Sequence, residues 1–216
     1  MITIRKVVAS NNGLTLIELM IVLVLSLLLM SAVYLAYQIQ HKTSRVQFQV
    51  TQVQQDLRAV MEIITTDIRH AGVDPTFTQS IVGIPSNESG SNFLRIAMDI
   101  DEDGSISAPG EDISYRLNGT NLERFDHISN TLQVLAQNVT MFALSYFGET
   151  GTGTIYQIVP TGSTNPPFEP GNTLSASEAS EVRFIEVRLD MRTAQVDPDT
   201  GNFLDRTLTR RVCRRN

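Results

Sequence analysis

The apolar positions change period twice along the chain. From Leu14 to Tyr37 nearly every residue is apolar, in the run LTLIELMIVLVLSLLLMSAVYLAY, and Glu18 is its only charge. As a helix the run spans roughly 36 Å, enough for the ~30 Å core of a bilayer. From Gln38 to Ala71 the apolar residues thin to one stripe: Val46, Val50, Val53, Leu57, Val60, Ile64 and Ile68, at steps of three and four. Glutamines fill much of the other face. That is the period of an amphipathic helix. No Gly or Pro lies between Leu14 and Ala71. The two stretches are therefore expected to form one helix of about 57 residues, on the order of 85 Å long. Gly72 is the expected C-cap, and Asp74-Pro75 forbids continuation.

Beyond Pro75 the period drops to two. Leu94, Ile96 and Met98 share one face, as do Ile113, Tyr115 and Leu117. Asn118-Gly119 is a hairpin turn signal leading into Leu122 to Phe125. Phe142, Leu144 and Tyr146 form another face, and Ile185, Val187, Leu189 and Met191 a fourth, opposite Glu186, Arg188 and Asp190. A loop at residues 197–201 precedes a last strand near Thr207 to Arg214. Residues 160–180, rich in Pro, Gly, Ser, Thr and Asn, read as a long surface loop. The expected class is α+β, with an antiparallel β-sheet head laid against the second half of the long helix. The apolar stripe then packs on the sheet rather than in a coiled coil, since no strict heptad seam is sustained.

Charge sharpens this picture. The chain has 216 residues and a net charge of −6. The first thirteen residues hold Arg5 and Lys6 and no acid, so the remainder is more acidic still. An acidic body argues against non-specific nucleic-acid binding. The local exception is the tail, with Arg206, Arg210, Arg211, Arg214 and Arg215. These arginines read either as cross-strand partners of Glu186 and Asp190 or as a docking patch. The single cysteine, Cys213, excludes a disulfide within the chain. A secretory signal runs basic region, apolar core, small-residue cleavage site. Here the small residue Gly13 precedes the apolar stretch, so cleavage there leaves the helix on the protein. Arg5 and Lys6 are expected to stay cytoplasmic, which sends the rest outward.

An ionisable side chain at the centre of a membrane helix costs roughly 2.5–3.5 kcal/mol and so marks function. The run Gly13-Leu14-Thr15-Leu16-Ile17-Glu18-Leu19-Met20 resembles the type IV prepilin signature. That resemblance implies a membrane peptidase cutting after Gly13, methylation of the new amine at Leu14, and Glu18 as the family's glutamate at the fifth mature position. Leu14 stands where the family usually has phenylalanine. Glu18 lies one helical turn from the new amine. A charge pair costs less in apolar surroundings than two lone charges. Within a filament, the resemblance implies that Glu18 pairs with the amine of a neighbouring subunit. Further on, Asp67-Ile68-Arg69-His70-Ala71-Gly72-Val73-Asp74-Pro75 resembles the helix end of PilW-type minor pilins, with Val73 in place of the usual aromatic.

One other motif carries chemistry. Asp99-Ile100-Asp101-Glu102-Asp103-Gly104 has the D-x-D-x-D-G form of a calcium loop. Loop position twelve is Gly110, so this is no EF-hand. A looser calcium turn closed by Glu111 or Asp112 and a solvated acidic hairpin tip both remain open. No G-x-S-x-G, H-E-x-x-H, P-loop or Rossmann fingerprint is present, and the chain is expected not to be an enzyme. His127, between Asp126 and Ser129, makes no triad by adjacency alone.

These readings divide the chain into a leader (1–13), a transmembrane half-helix (14–37), an amphipathic periplasmic half (38–72) and a β-rich head (73–216). The resemblance implies a minor pilin that assembles or primes a type IV pilus. Its partners would be prepilin peptidase and other major and minor pilins. It would sit in the bacterial inner membrane with a periplasmic head before entering the filament. The alternatives are the equivalent J-type pseudopilin of type II secretion and a membrane-anchored, calcium-dependent binding module.

Overall fold

The computed structural model describes residues 15–76, 81–161 and 173–214. The chain falls into two compact units, one up to Gln47 and one from Phe48 onward. A single helix, α1 (Leu16–His70), contributes to both. From Leu16 to Ile39 its aliphatic side chains are exposed throughout; Leu16, for example, is 79% accessible. The helix is long and apolar enough to cross a membrane.

In the second unit the stripe behaves as its period requires. Val53, Leu57, Val60, Met61, Ile64 and Ile68 are buried in the hydrophobic core. Burial of each such side chain supplies about 1.5–3 kcal/mol. Helix α1 stops at His70, and Gly72 takes the left-handed backbone (φ +79) that ends it.

The strands are β1 (Phe93–Ala97), β2 (Asp112–Asn118), β3 (Asn121–Asp126), β4 (Thr131–Ala136), β5 (Val139–Glu149), β6 (Ile155–Ile158), β7 (Phe184–Arg192) and β8 (Asp205–Cys213). Among the described residues they form not one sheet but two antiparallel sheets of four strands, in the orders β1-β2-β3-β4 and β6-β5-β7-β8. Each turns one face to the core: Leu94, Ile96, Ile113, Tyr115 and Leu122 from the first, Leu144, Tyr146, Ile185, Val187 and Leu189 from the second. The sheets meet where Val139 N–H donates to the Thr120 carbonyl and Leu144 N–H to the Ser91 carbonyl. Alternation shows which residues face inward, not which strands pair, so a division into two sheets is invisible to it.

Three local readings need correction. The β2–β3 loop is Gly119-Thr120, because Asn118 pairs with Asn121. Gly119 alone has positive φ (+60), the first loop position that a II′ turn reserves for glycine. The second is an omission: strands β4 and β6 are not among those expected, because neither carries clean alternation. The third concerns the loop expected over residues 160–180. Residues 162–172 lie outside the described residues, but the stretch ends in a short helix, α2 (Ala176–Glu181). The Ser175 side chain and Glu178 cap it reciprocally, which the sequence spells as Ser-x-x-Glu.

Candidate functional site

Glu18 opens α1. Its Oε2 accepts from Thr15 N–H and from Thr15 Oγ1, each at 2.8 Å, and Thr15 Oγ1 accepts from Glu18 N–H at 3.3 Å. This is a capping box. Polar hydrogens at the start of a helix lack intrahelical acceptors, and in lipid no water supplies them. The lone carboxylate therefore stabilises the first turn. The pattern Thr15-Leu16-Ile17-Glu18 states it in sequence, masked there by the reading of Glu18 as a partner for an amine. Gly13 and Leu14 lie outside the described residues. Deeper in the run, Ser26 and Ser31 donate to the carbonyls of Leu23 and Leu28, so their hydroxyls are satisfied within the helix.

The far end of α1 is locked to the first sheet. The fully buried Tyr115 donates its hydroxyl to Asp67, and Arg124 Nε lies 3.3 Å from both Asp67 Oδ2 and the Tyr115 oxygen. Burial, then the Asp67 charge, pushes the Tyr115 hydroxyl well above its ordinary value. Gly72 N–H donates to the Ala97 carbonyl, Ala97 N–H to the Gly83 carbonyl, and Asp99 N–H to the Val73 carbonyl. A Cβ on Gly83 would lie 2.4 Å from Gly72 N. The Asp67-to-Pro75 stretch is thus a docking segment: its aspartate enters a part-buried polar triad and its glycine admits a second backbone.

The acidic loop draws only part of its expected set together. Asp99, Asp101 and Asp103 each place an oxygen within 4.8 Å of the others. Such a trio can offer three hard ligands to a cation. Asp99 is buried and accepts from Glu102 N–H and Gly104 N–H. Asp103 accepts from the backbone and hydroxyl of Ser105 and from the hydroxyl of Ser107. Burial, then the Asp103, Glu111 and Asp99 charges, pushes the Asp101 carboxyl above its ordinary value, against the Asp103 N–H.

Glu111 and Asp112 do other work. The fully buried Glu111 accepts from the N–H groups of Ile100, Asp101, Ser107 and Ala108. Burial pushes its carboxyl up, but these donors outweigh it and hold the group below its ordinary value. Asp112 forms a two-pronged pair with Arg95, which also binds Glu88. Asp126, beside His127, caps the N–H groups of Gly110, Ile128 and Ser129.

The tail arginines divide. Arg211 pairs with Glu186 directly across from it, as expected from the register. Arg210 crosses instead to Glu62 on α1, and Asp190 pairs with Arg188 of its own strand.

The family comparison matches both parts of the chain. A prokaryotic N-terminal methylation motif covers residues 9–34, including Gly13, Leu14 and Glu18. Prepilin peptidase-dependent protein B matches residues 46–197, more than half of the chain. The chain belongs to the prepilin peptidase-dependent protein B family. It is a pilin-like protein processed by prepilin peptidase. Its N-terminal helix suits membrane anchoring of the type IV pilin kind. No curated protein and no solved structure matches it. The family's match begins within α1 and runs through the Asp67 docking segment, the acidic loop and most of both sheets.

Proposed function

We propose that this family member is a minor pilin of the PilW kind, working by assembly rather than by catalysis. Prepilin peptidase cuts after Gly13, and the amine of Leu14 is methylated. The helix holds the subunit in the inner membrane with its head in the periplasm until it enters the tip or priming complex of a type IV pilus, among other major and minor pilins. The observation that carries this reading is Glu18, the one charge in an apolar run, held in a capping box at the helix start. Before assembly, Thr15 gives the carboxylate two hydrogen bonds but no counter-charge. In the filament, the amine of a neighbour replaces it, and a subunit seated one step wrong leaves both charges unpaired.

The test is Glu18→Ala beside Thr15→Val, both in cells. Glu18→Ala is expected to be cut normally and to stay in the membrane, absent from sheared filaments. Thr15→Val keeps the charge and is expected to retain entry. If Glu18→Ala enters surface filaments at the wild-type level, or if wild type never co-purifies with other pilins, the assembly reading fails. A deletion strain that loses secretion but keeps its pili would assign the chain to a pseudopilus.

A further inference from the structure

The two sheets treat their long edges differently. Along β1 each outward residue has its carbonyl occupied, and Arg95 and Ala97 their N–H groups too. Phe93 C=O accepts from Gly90 N–H, Arg95 N–H and C=O both bond the Ser89 hydroxyl, and Ala97 bonds Gly83 and Gly72. Along β8 only the Asp205 carbonyl is, among the described residues, and its donor is Arg206 Nη1 of the same strand. The β7–β8 ladder is bracketed by Arg214 N–H to the Arg183 carbonyl and by Thr193 N–H to the Leu204 carbonyl. Antiparallel pairs alternate. The ladder bonds of β8 therefore come from Arg206, Leu208, Arg210 and Val212. Asp205, Thr207, Thr209, Arg211 and Cys213 aim their N–H and C=O groups away from β7, with no strand beyond them. All five of these residues are exposed. On β4 the same alternation, set by His127 N–H to the Asp112 carbonyl, leaves only Leu132 and Val134 pointing outward.

We propose that the β8 edge takes up an extended, acidic segment of another protein as an added strand. This stands apart from the pilus reading, since it holds whichever filament or complex the chain joins. An open edge offers main-chain hydrogen bonds to any strand, and side chains choose among strands. Here Arg206 and Arg210 flank Leu208 on one face, and Arg211 follows Thr207 and Thr209 on the other. Carboxylates directly across from these arginines extend a ladder that Glu186 already starts. A guanidinium carries five N–H donors, so pairing with Glu62 or Glu186 leaves capacity for a second carboxylate. A second copy of this chain is the poorer occupant, because antiparallel β8–β8 pairing in full register crowds Arg206 and Arg210 of both copies diagonally on one face. That repulsion also guards the edge against aggregation. A nucleic acid could meet the arginines but not the row of backbone donors and acceptors.

The experiment uses the full chain in detergent micelles and a dye-labelled peptide of the same nine-residue length as β8, alternating valine and glutamate. Saturable anisotropy is expected. Binding should weaken at least about tenfold when lysine replaces glutamate. It should weaken comparably in Thr209→Pro, which removes one outward N–H and places a ring on the open edge while sparing every β7 bond. Hydrogen exchange at Thr207, Thr209 and Arg211 should slow with the acidic peptide; this readout decides if Thr209→Pro fails to fold. Any of four results overturns the proposal: equal binding of both peptides, unchanged binding by a folded Thr209→Pro, an oligonucleotide of equal charge competing as well as the peptide, or self-association that Thr209→Pro abolishes.

Discussion

Glu111→Gln tests what the acidic loop is held by. Glu111 is fully buried, and each of its oxygens receives two backbone N–H groups: Ile100 and Asp101 on Oε1 at 2.9 and 3.3 Å, Ser107 and Ala108 on Oε2 at 2.9 and 2.8 Å. Glutamine keeps the shape but turns one oxygen into a donor. Two backbone N–H groups then face an N–H₂, and the other two lose a charged acceptor. A hydrogen bond to a charged group contributes about 1.5–3 kcal/mol, and a buried donor left unsatisfied costs about 1–3. The expected loss is about 4 kcal/mol, a large part of a typical stability of ~5–15. The opposing effect is relief of repulsion, since Glu111 shares its loop with Asp99, Asp101 and Asp103. Those charges act partly through water, where 4 Å of separation is worth ~1 kcal/mol. Hydrogen bonding should therefore win, and the variant should be destabilised. Urea unfolding can be followed by tyrosine fluorescence, because the chain has no tryptophan and Tyr115 and Tyr146 are fully buried. With a slope of ~1–3 kcal/mol per molar, the midpoint should fall by about 2 M. Neutralising the exposed Glu102 in the same loop, by Glu102→Gln, should change stability by no more than about 0.5 kcal/mol. A midpoint for Glu111→Gln at or above wild type would mean that repulsion governs the loop, and would refute the reasoning.

Gly83→Ala should cost about 1–3 kcal/mol, because its Cβ would meet Gly72 N at 2.4 Å and backbone must move; an unchanged urea midpoint would show that the close approach is not needed. Tyr115→Phe should cost about 1–2 kcal/mol by leaving Asp67 and Arg124 one partner short, and a double-mutant cycle with Arg124→Gln should show coupling between the two. Acid should unfold the head through Glu111 and Asp126. Backbone donors outweigh burial at both and hold their folded-state values below the ordinary ones. Their contribution is then complete above about pH 5 and is lost as pH falls through the folded values. A midpoint that is flat from pH 6 down to 3 would contradict this, as would one that rises.

How much could be read without coordinates depended on how local the cause was. The apolar run, the four-three stripe and the Gly72 stop set α1 to within two residues of its end, since helix periodicity and capping are properties of neighbours in the chain. Glu18 was conspicuous for the same reason: one charge among aliphatics needs no tertiary context to be costly. The Ser175 and Thr15 capping boxes were equally legible, as Ser/Thr-x-x-Glu, but one lay in a stretch read as a loop and the other under a reading that already claimed Glu18.

What sequence could not settle was partnership at a distance. Alternation put Tyr115 and Ile113 inside but could not bring Asp67 to the Tyr115 hydroxyl and to Arg124, across separations of 48 and 57 residues. In the acidic loop, spacing marked five carboxylates as candidates for one cation. Folding converges Asp99, Asp101 and Asp103, while Glu111 turns inward to four backbone amides and Asp112 turns to Arg95. The division into two sheets, and with it the open edge at β8, rests on which strands pair. By itself, then, the sequence determined a long membrane-competent helix carrying one deliberate charge, and a β-rich head behind it. The tertiary structure decided how that head is locked to the helix and which of its edges is left unpaired, because strand pairing and buried polar contacts depend on residues far apart in the chain.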